Sequence, residues 1–147
     1  MKRAIITLGI VAIGLWSWLM PAPAEAAGMV SEAPANAYVY LIAPINGATV
    51  SSPVAVKFGL SGMGVAPAGV DKDNTGHHHL LVDLAELPGM AQPLPATDQI
   101  KHFGGGQTET ALELAPGEHT LQLLLGNYAH VPHDQPVLSE KITITVD

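Results

Sequence analysis

The sequence predicts an all-β domain, an antiparallel β-sandwich of about seven strands. Two observations predict it. From Ala37 onward apolar and polar residues alternate, with no sustained helical period. Clusters of Gly, Pro, Asn and Asp interrupt the alternation at short intervals, as turns do.

The first strand is "AYVYLIAP", Ala37 to Pro44, closed by the turn "PING". The second is "SSPVAVKFGL", with Val54, Val56, Phe58 and Leu60 on one face and Lys57 on the other. The third runs from His77 to Leu84. Ala85 to Lys101 holds three prolines, which suit one or two short edge strands and not a sheet centre. "QTETALEL" directs Thr108, Thr110, Leu112 and Leu114 inward and Gln107, Glu109 and Glu113 outward. "APGE" turns the chain into "HTLQLLLG", which aligns Leu121, Leu123 and Leu125. "EKITITV" aligns Ile142, Ile144 and Val146. The corner "LELAPGEHTLQL" resembles the turn between the E and F strands of immunoglobulin-like domains. That resemblance implies Greek-key winding. With no cysteine in the chain it implies a variant without the disulfide, and thiolate metal sites are excluded as well.

The N-terminus predicts export. Lys2 and Arg3 precede the uncharged, mostly apolar run Ala4 to Met20, and "PAPAEAAG" places Ala24 and Ala26 in a cleavage-site arrangement. The run is short for a membrane span and no basic stop-transfer cluster follows it. The expected organisation is a signal peptide over 1–26, a small, polar, flexible leader over 27–36 and a sandwich domain over 37–147, in the periplasm or secreted, with no membrane span after cleavage. The chain is acidic, with a formal charge of −7 that becomes more negative once Lys2, Arg3 and Glu25 leave. This excludes nucleic acid as a partner and favours cations.

The chemistry-bearing residues are histidines. In an immunoglobulin-like winding the connections that carry His77, His102, His130 and His133 meet at one pole, with His119 at the other. Within "GHHHLLVD", His77 and His79 share a strand face and His78 points the opposite way with Leu80 and Val82. His130 and His133 lie in the proline-bent loop "HVPH". Imidazoles so gathered suit copper(II) or zinc, with His77, His79, His130 and His133 as ligands and His102 joining them. Met63 offers a thioether that favours copper, and Asp83 and Asp134 offer acceptors for ring N–H groups. Two other readings stand beside the metal: a hydrogen-bonded network tying three loops together, and a surface that responds to pH. His78 and His119 read as structural. The long connection Ser61 to Gly76 exceeds the usual length of a passive loop.

Other motifs fail on inspection. "FGGGQ" lacks the Gly-Lys-Ser/Thr ending of a phosphate loop, and its glycines read as close packing or positive φ. "DKDNTG" opens like a calcium loop but has Val82 where glutamate is required. "GLSGM" lacks the second glycine of a nucleophile elbow. The expectation is therefore not an enzyme.

The segments "GHHHLLVD", "HFGGGQTET", "LAPGEHTLQLLLGN" and "HVPHDQPVLSEKITITV" resemble, in the same order, the bacterial domain-of-unknown-function family 4399. The resemblance spans Gly62 to Val146. It implies a small exported protein and carries over no site residue. The expected function is an exported, non-enzymatic domain that binds copper or zinc. The alternative is an envelope-associated interaction module, partnered by an unknown envelope protein, whose histidines tether loops.

Overall fold

The computed structural model describes residues 29–147. The expected signal peptide and the first two residues of the expected leader lie outside the described residues. Among the described residues there are nine strands and no helix: β1 (Tyr38–Ala43), β2 (Thr49–Val50), β3 (Val54–Ser61), β4 (Gly64–Val65), β5 (Thr75–Val82), β6 (Ile100–His102), β7 (Glu109–Leu112), β8 (Gly117–Gly126) and β9 (Ile142–Val146). No helix among them is long and apolar enough to cross a membrane.

The strands form two sheets. One has the order β1-β3-β7; the other has the order β2-β9-β8-β5-β4, with β6 also paired to β5. The predicted all-β class holds, and the long pairings are antiparallel. Two pairings are parallel, β2 with β9 and β4 with β5, so the fold is not antiparallel throughout. Both β2 and β4 have two residues, too few for a period-2 pattern to show in sequence. β4 lies in the long connection after β3, where Gly64 N–H donates to the Asn74 carbonyl and Ala66 N–H to the Gly76 carbonyl, both at 2.9 Å. Of the edge strands expected in Ala85 to Lys101, β6 forms at the end of the segment. Residues 85–99, whose prolines lack N–H donors, carry no strand.

The sheets face each other across one core. Val54, Val56 and Phe58 alternate inward from β3 while Ala55 and Lys57 face out, as their spacing predicts. Leu121, Leu123 and Leu125 of β8 meet them from the other sheet, each fully buried, with Leu80, Val82, Ile144 and Val146 beside them. Burying a leucine fully contributes roughly 1.5–3 kcal/mol. Truncation at the centre, Leu123→Ala, should cost about 2–5 kcal/mol.

A smaller core covers the outer face of the larger sheet. Leu81, Leu94, Ile100 and Leu124 are buried there, with Leu84, Met90 and Leu138 packed against them. The Pro-containing segment after β5 and the chain around Leu138 thus form a roof. Central strands covered on both faces are apolar on both faces, which accounts for the near-continuous runs "HHHLLV" and "LQLLLG".

The described part of the expected leader is hydrogen-bonded to the loop after β8. Asp134 N–H donates to the Ser31 carbonyl and Ala33 N–H to Asp134 Oδ1, both at 3.0 Å. The partners stand about a hundred positions away in the chain, so composition alone reads this stretch as loose.

Candidate metal centre

β5 places the first two imidazoles. Its outward-facing positions carry His77 and His79, while His78 turns into the main core. In register, His79 stands opposite His102 of β6, which puts those two side chains on one sheet face. On its other side β5 pairs with β8, with His77 opposite Gly126. The loop after β8 then brings His130 over the same spot. Its backbone is held at a φ of +66°, with its N–H donating to the Asn127 carbonyl and its own carbonyl accepting from Leu94 N–H, both at 2.9 Å.

The four rings form a compact group. Ring centroids are 4.8 Å apart for His77–His79, 5.0 Å for His77–His102, 5.0 Å for His77–His130 and 5.2 Å for His79–His102. The remaining pairs are His79–His130 at 6.1 Å and His102–His130 at 4.6 Å. His77, His79 and His102 each offer a ring nitrogen, and these nitrogens all lie within 4.8 Å of one another, so this group could hold a metal ion. His77 and His79 form a buried floor at 0% and 1% exposure; His130 is half-buried and His102 exposed at the rim.

Neither ring nitrogen of His77 or His79 has a hydrogen-bond partner among the described residues. A buried polar atom left without a partner costs on the order of 1–3 kcal/mol. Here three consecutive buried rings carry that cost, His77 and His79 on the cluster face and His78 in the main core. Burial, followed by the neighbouring imidazoles, pushes His77 down to about 4 and His79 down to about 3. Burial lowers His102 too, with His130 adding to the effect. The floor imidazoles are therefore neutral at pH 7, the state that ligates a metal.

Two glycines make room for the rings. A Cβ on Gly126 would stand 2.7 Å from His79 Cε1 and 3.1 Å from its Nδ1. A Cβ on Gly104, in "FGGGQ", would overlap the ring of His102. The glycine run thus serves close packing at that position.

His133 stands beside the group without joining its ring contacts. It is 2% exposed, its Nε2 lies 3.4 Å from the Thr75 carbonyl, and its Nδ1 has no partner among the described residues. Burial lowers its pKa. His78 packs on Phe58, with centroids 5.2 Å apart. Met63 packs against the main core. Neither expected carboxylate acceptor serves the cluster. Asp134 Oδ1 accepts from Ala33 and Gln135 N–H groups, and Asp83, at the far end of β5, pairs with His119 at 2.7 Å.

His119 is the structural corner that its position predicts. Its Nδ1 meets Asp83 Oδ2 and its Nε2 meets the Ala115 carbonyl at 2.8 Å. The hydrogen bond that its ring N–H donates to the Asp83 carboxylate is the chief cause that raises its pKa. Histidine hydrogen bonding is thus present in the molecule, while both ring nitrogens of His77, His78 and His79 have no partner among the described residues.

Sequence reasoning read the "FGGGQ" glycines as close packing but did not tie Gly104 to His102, did not single out Gly126, and missed Asn127. A glycine two places after His102 and one at the end of an otherwise leucine-rich strand are the signals that could have found the first two.

Fold and site together define an all-β, sandwich-like protein whose central strand and edge strand assemble a three-histidine group that could hold a metal, with a fourth imidazole from one loop beside it. The chain belongs to the family described as a domain of unknown function, DUF4399, whose model matches residues 56–147. The four clustered histidines and His133 lie inside the matched residues; β1 and the hydrogen-bonded leader lie outside. No curated protein and no solved structure matches the chain.

Proposed function

We propose that this is an exported, non-enzymatic, immunoglobulin-like Greek-key domain that binds a transition metal, zinc in preference to copper(II), through His77, His79, His102 and His130. One observation carries the reading: two fully buried imidazoles with no partner for any ring nitrogen stand within 4.8–6.1 Å, centroid to centroid, of each other and of two further rings. Nitrogens at about 2.0–2.1 Å from a tetrahedral ion put imidazole centroids about 5 Å apart in all six pairs. A planar copper(II) site would instead need two cross-pairs at about 6.4 Å. A single pair, His79–His130 at 6.1 Å, comes near that, while its opposite pair, His77–His102, is at 5.0 Å. The centroid spacing is thus nearer the tetrahedral set than the planar one, with the ring nitrogens of His77, His79 and His102 within 4.8 Å of one another and His130 the outlying fourth ring.

His133, with one nitrogen at a backbone carbonyl, stands outside this set. Four protein ligands leave no open position for a metal-bound water, which fits sequestration, delivery or sensing better than catalysis. The residues around Ala26 support placement in the periplasm or outside the cell.

The test uses the untagged, exported chain. Metal content is measured after purification, and zinc and copper(II) are titrated by calorimetry. Stoichiometric, submicromolar zinc binding with four imidazole ligands is expected. Affinity no tighter than that of a generic surface histidine pair would overturn the reading.

A separate observation favours the interaction module as a second reading. Tyr38, Tyr40 and Ile42 lie along the exposed face of β1, an edge strand, at 55%, 42% and 52% exposure. Aromatic and aliphatic side chains in a row on an edge suit contact with an envelope protein.

A further inference from the structure

We propose that Asn127 is the positioning residue of the centre: it sets the loop that carries His130 and fastens that loop to the segment Met29–Ala33, so that this segment forms part of the binding unit. The proposal rests on the metal reading for its affinity consequence alone.

Every hydrogen-bonding group of Asn127 is used. Its N–H donates to the Val131 carbonyl at 2.9 Å, and its carbonyl accepts from His130 N–H at 2.9 Å. Its Oδ1 accepts from Ala129 N–H at 2.9 Å and from Val131 N–H at 3.1 Å. Its Nδ2 donates to the Met29 carbonyl at 2.6 Å and to Ser31 Oγ at 2.9 Å. The side chain is 1% exposed, so water replaces none of these bonds cheaply. Four bonds close the loop on both sides of His130, and two reach the segment before β1. Asp134, at the far end of the same loop, makes the second attachment through Ser31 and Ala33.

His130 needs such a holder. It sits in the left-handed region, which a non-glycine residue keeps only where its surroundings dictate it. His77 and His79 are fixed by the pairings of β5, and His102 by β6. His130 alone among the four lies on a loop, so its place in the group depends on what ties that loop down.

The experiment compares N127A, N127D, H130A and the double variant N127A/H130A in the full exported chain. In metal-free protein, nuclear Overhauser contacts between the His130 ring and the rings of His77 and His102 should disappear in N127A and persist among His77, His79 and His102. Zinc affinity should fall at least about 10-fold in N127A. The double variant should bind no more weakly than H130A, because both changes remove the same ligand. The cobalt(II) spectrum of N127A should match that of H130A.

N127D keeps the acceptor bonds to Ala129 and Val131 and loses the donors to Met29 and Ser31, so an intermediate loss is expected. If N127A does not fold, N127D carries both readouts. Persistent His130 contacts in a folded Asn127 variant would overturn the proposal. So would zinc losses that add in the double variant. A wild-type protein that binds no zinc while N127A still loses its ring contacts refutes the metal reading and leaves the positioning role standing.

Discussion

The two ends of β5 treat histidine in opposite ways. At its start, His77 and His79 bury four ring nitrogens with no partner among the described residues. Beyond its end, Asp83 and the Ala115 carbonyl satisfy both nitrogens of His119. The contrast shows that the fold can saturate an imidazole where the ring is there to hold a corner. His78, packed on Phe58 in the main core, also has no partner for its ring nitrogens among the described residues, so what sets His77 and His79 apart is that they face two further imidazoles, where a metal ion would take up one lone pair from each ring.

The largest effect should separate the ends by sign. Replacing His77 and His79 together with leucine should abolish zinc binding, a loss of at least about 100-fold by calorimetry. The same change should leave the metal-free protein as stable as wild type, or more stable by about 1–2 kcal/mol in urea, because two unpartnered buried polar rings are removed. His119→Leu should leave zinc binding intact and cost about 1 kcal/mol. A marked loss of metal-free stability in the first variant would show that the floor rings are structural after all.

Gly126→Ala should act next most strongly. Its methyl meets the ring of His79 against the rigid pairing of β5 and β8, so zinc affinity should fall about 10-fold or more. Gly104→Ala should cost less, because the exposed His102 ring can swing away. Equal effects would mean that the rim is as rigid as the floor.

Acidity separates the ends again. His77 and His79 bind protons in the unfolded chain from about 6.5 downward and in the folded chain at about 4 and about 3. The metal-free protein should therefore lose stability as the pH falls from about 6.5 through about 4 for His77 and on through about 3 for His79. The contribution of His119 has the opposite sign: it is complete below the unfolded value of 6.5 and is lost as the pH rises through its raised pKa. Thermal melts of wild type, the double leucine variant and His119→Gln across this range should show the acid-side loss shrink in the first variant and the alkaline-side loss shrink in the second. An unchanged acid-side slope in the double variant would assign that loss to other groups.

The smallest expected effect belongs to His133. With Nε2 near the Thr75 carbonyl, His133→Gln should change zinc affinity by less than about 3-fold. A larger loss would bring His133 into the ligand set and place the centre deeper under the loop.

Much of the fold could be read from the chain. The inward rows Val54-Val56-Phe58 and Leu121-Leu123-Leu125 follow from period-2 alternation, as does the split of His77 and His79 from His78. The two-residue strands β2 and β4 could not be read, because a pattern needs more than two residues. The roof over Leu81 and Leu124 was also hidden: a proline-bearing segment shows its lack of ladder hydrogen bonds and not the surface that it will cover.

Local chemistry by itself determined that this chain makes strands, which histidines share a strand face and which one turns to the core. Those follow from backbone geometry repeated every two residues. Tertiary structure alone decided that His102 lies opposite His79, that the Asn127 side chain bonds to the loop of His130 and to the segment before β1, and that Asp83 goes to His119. Register and loop closure depend on the summed packing of segments far apart in the chain, and no single stretch of sequence carries that sum.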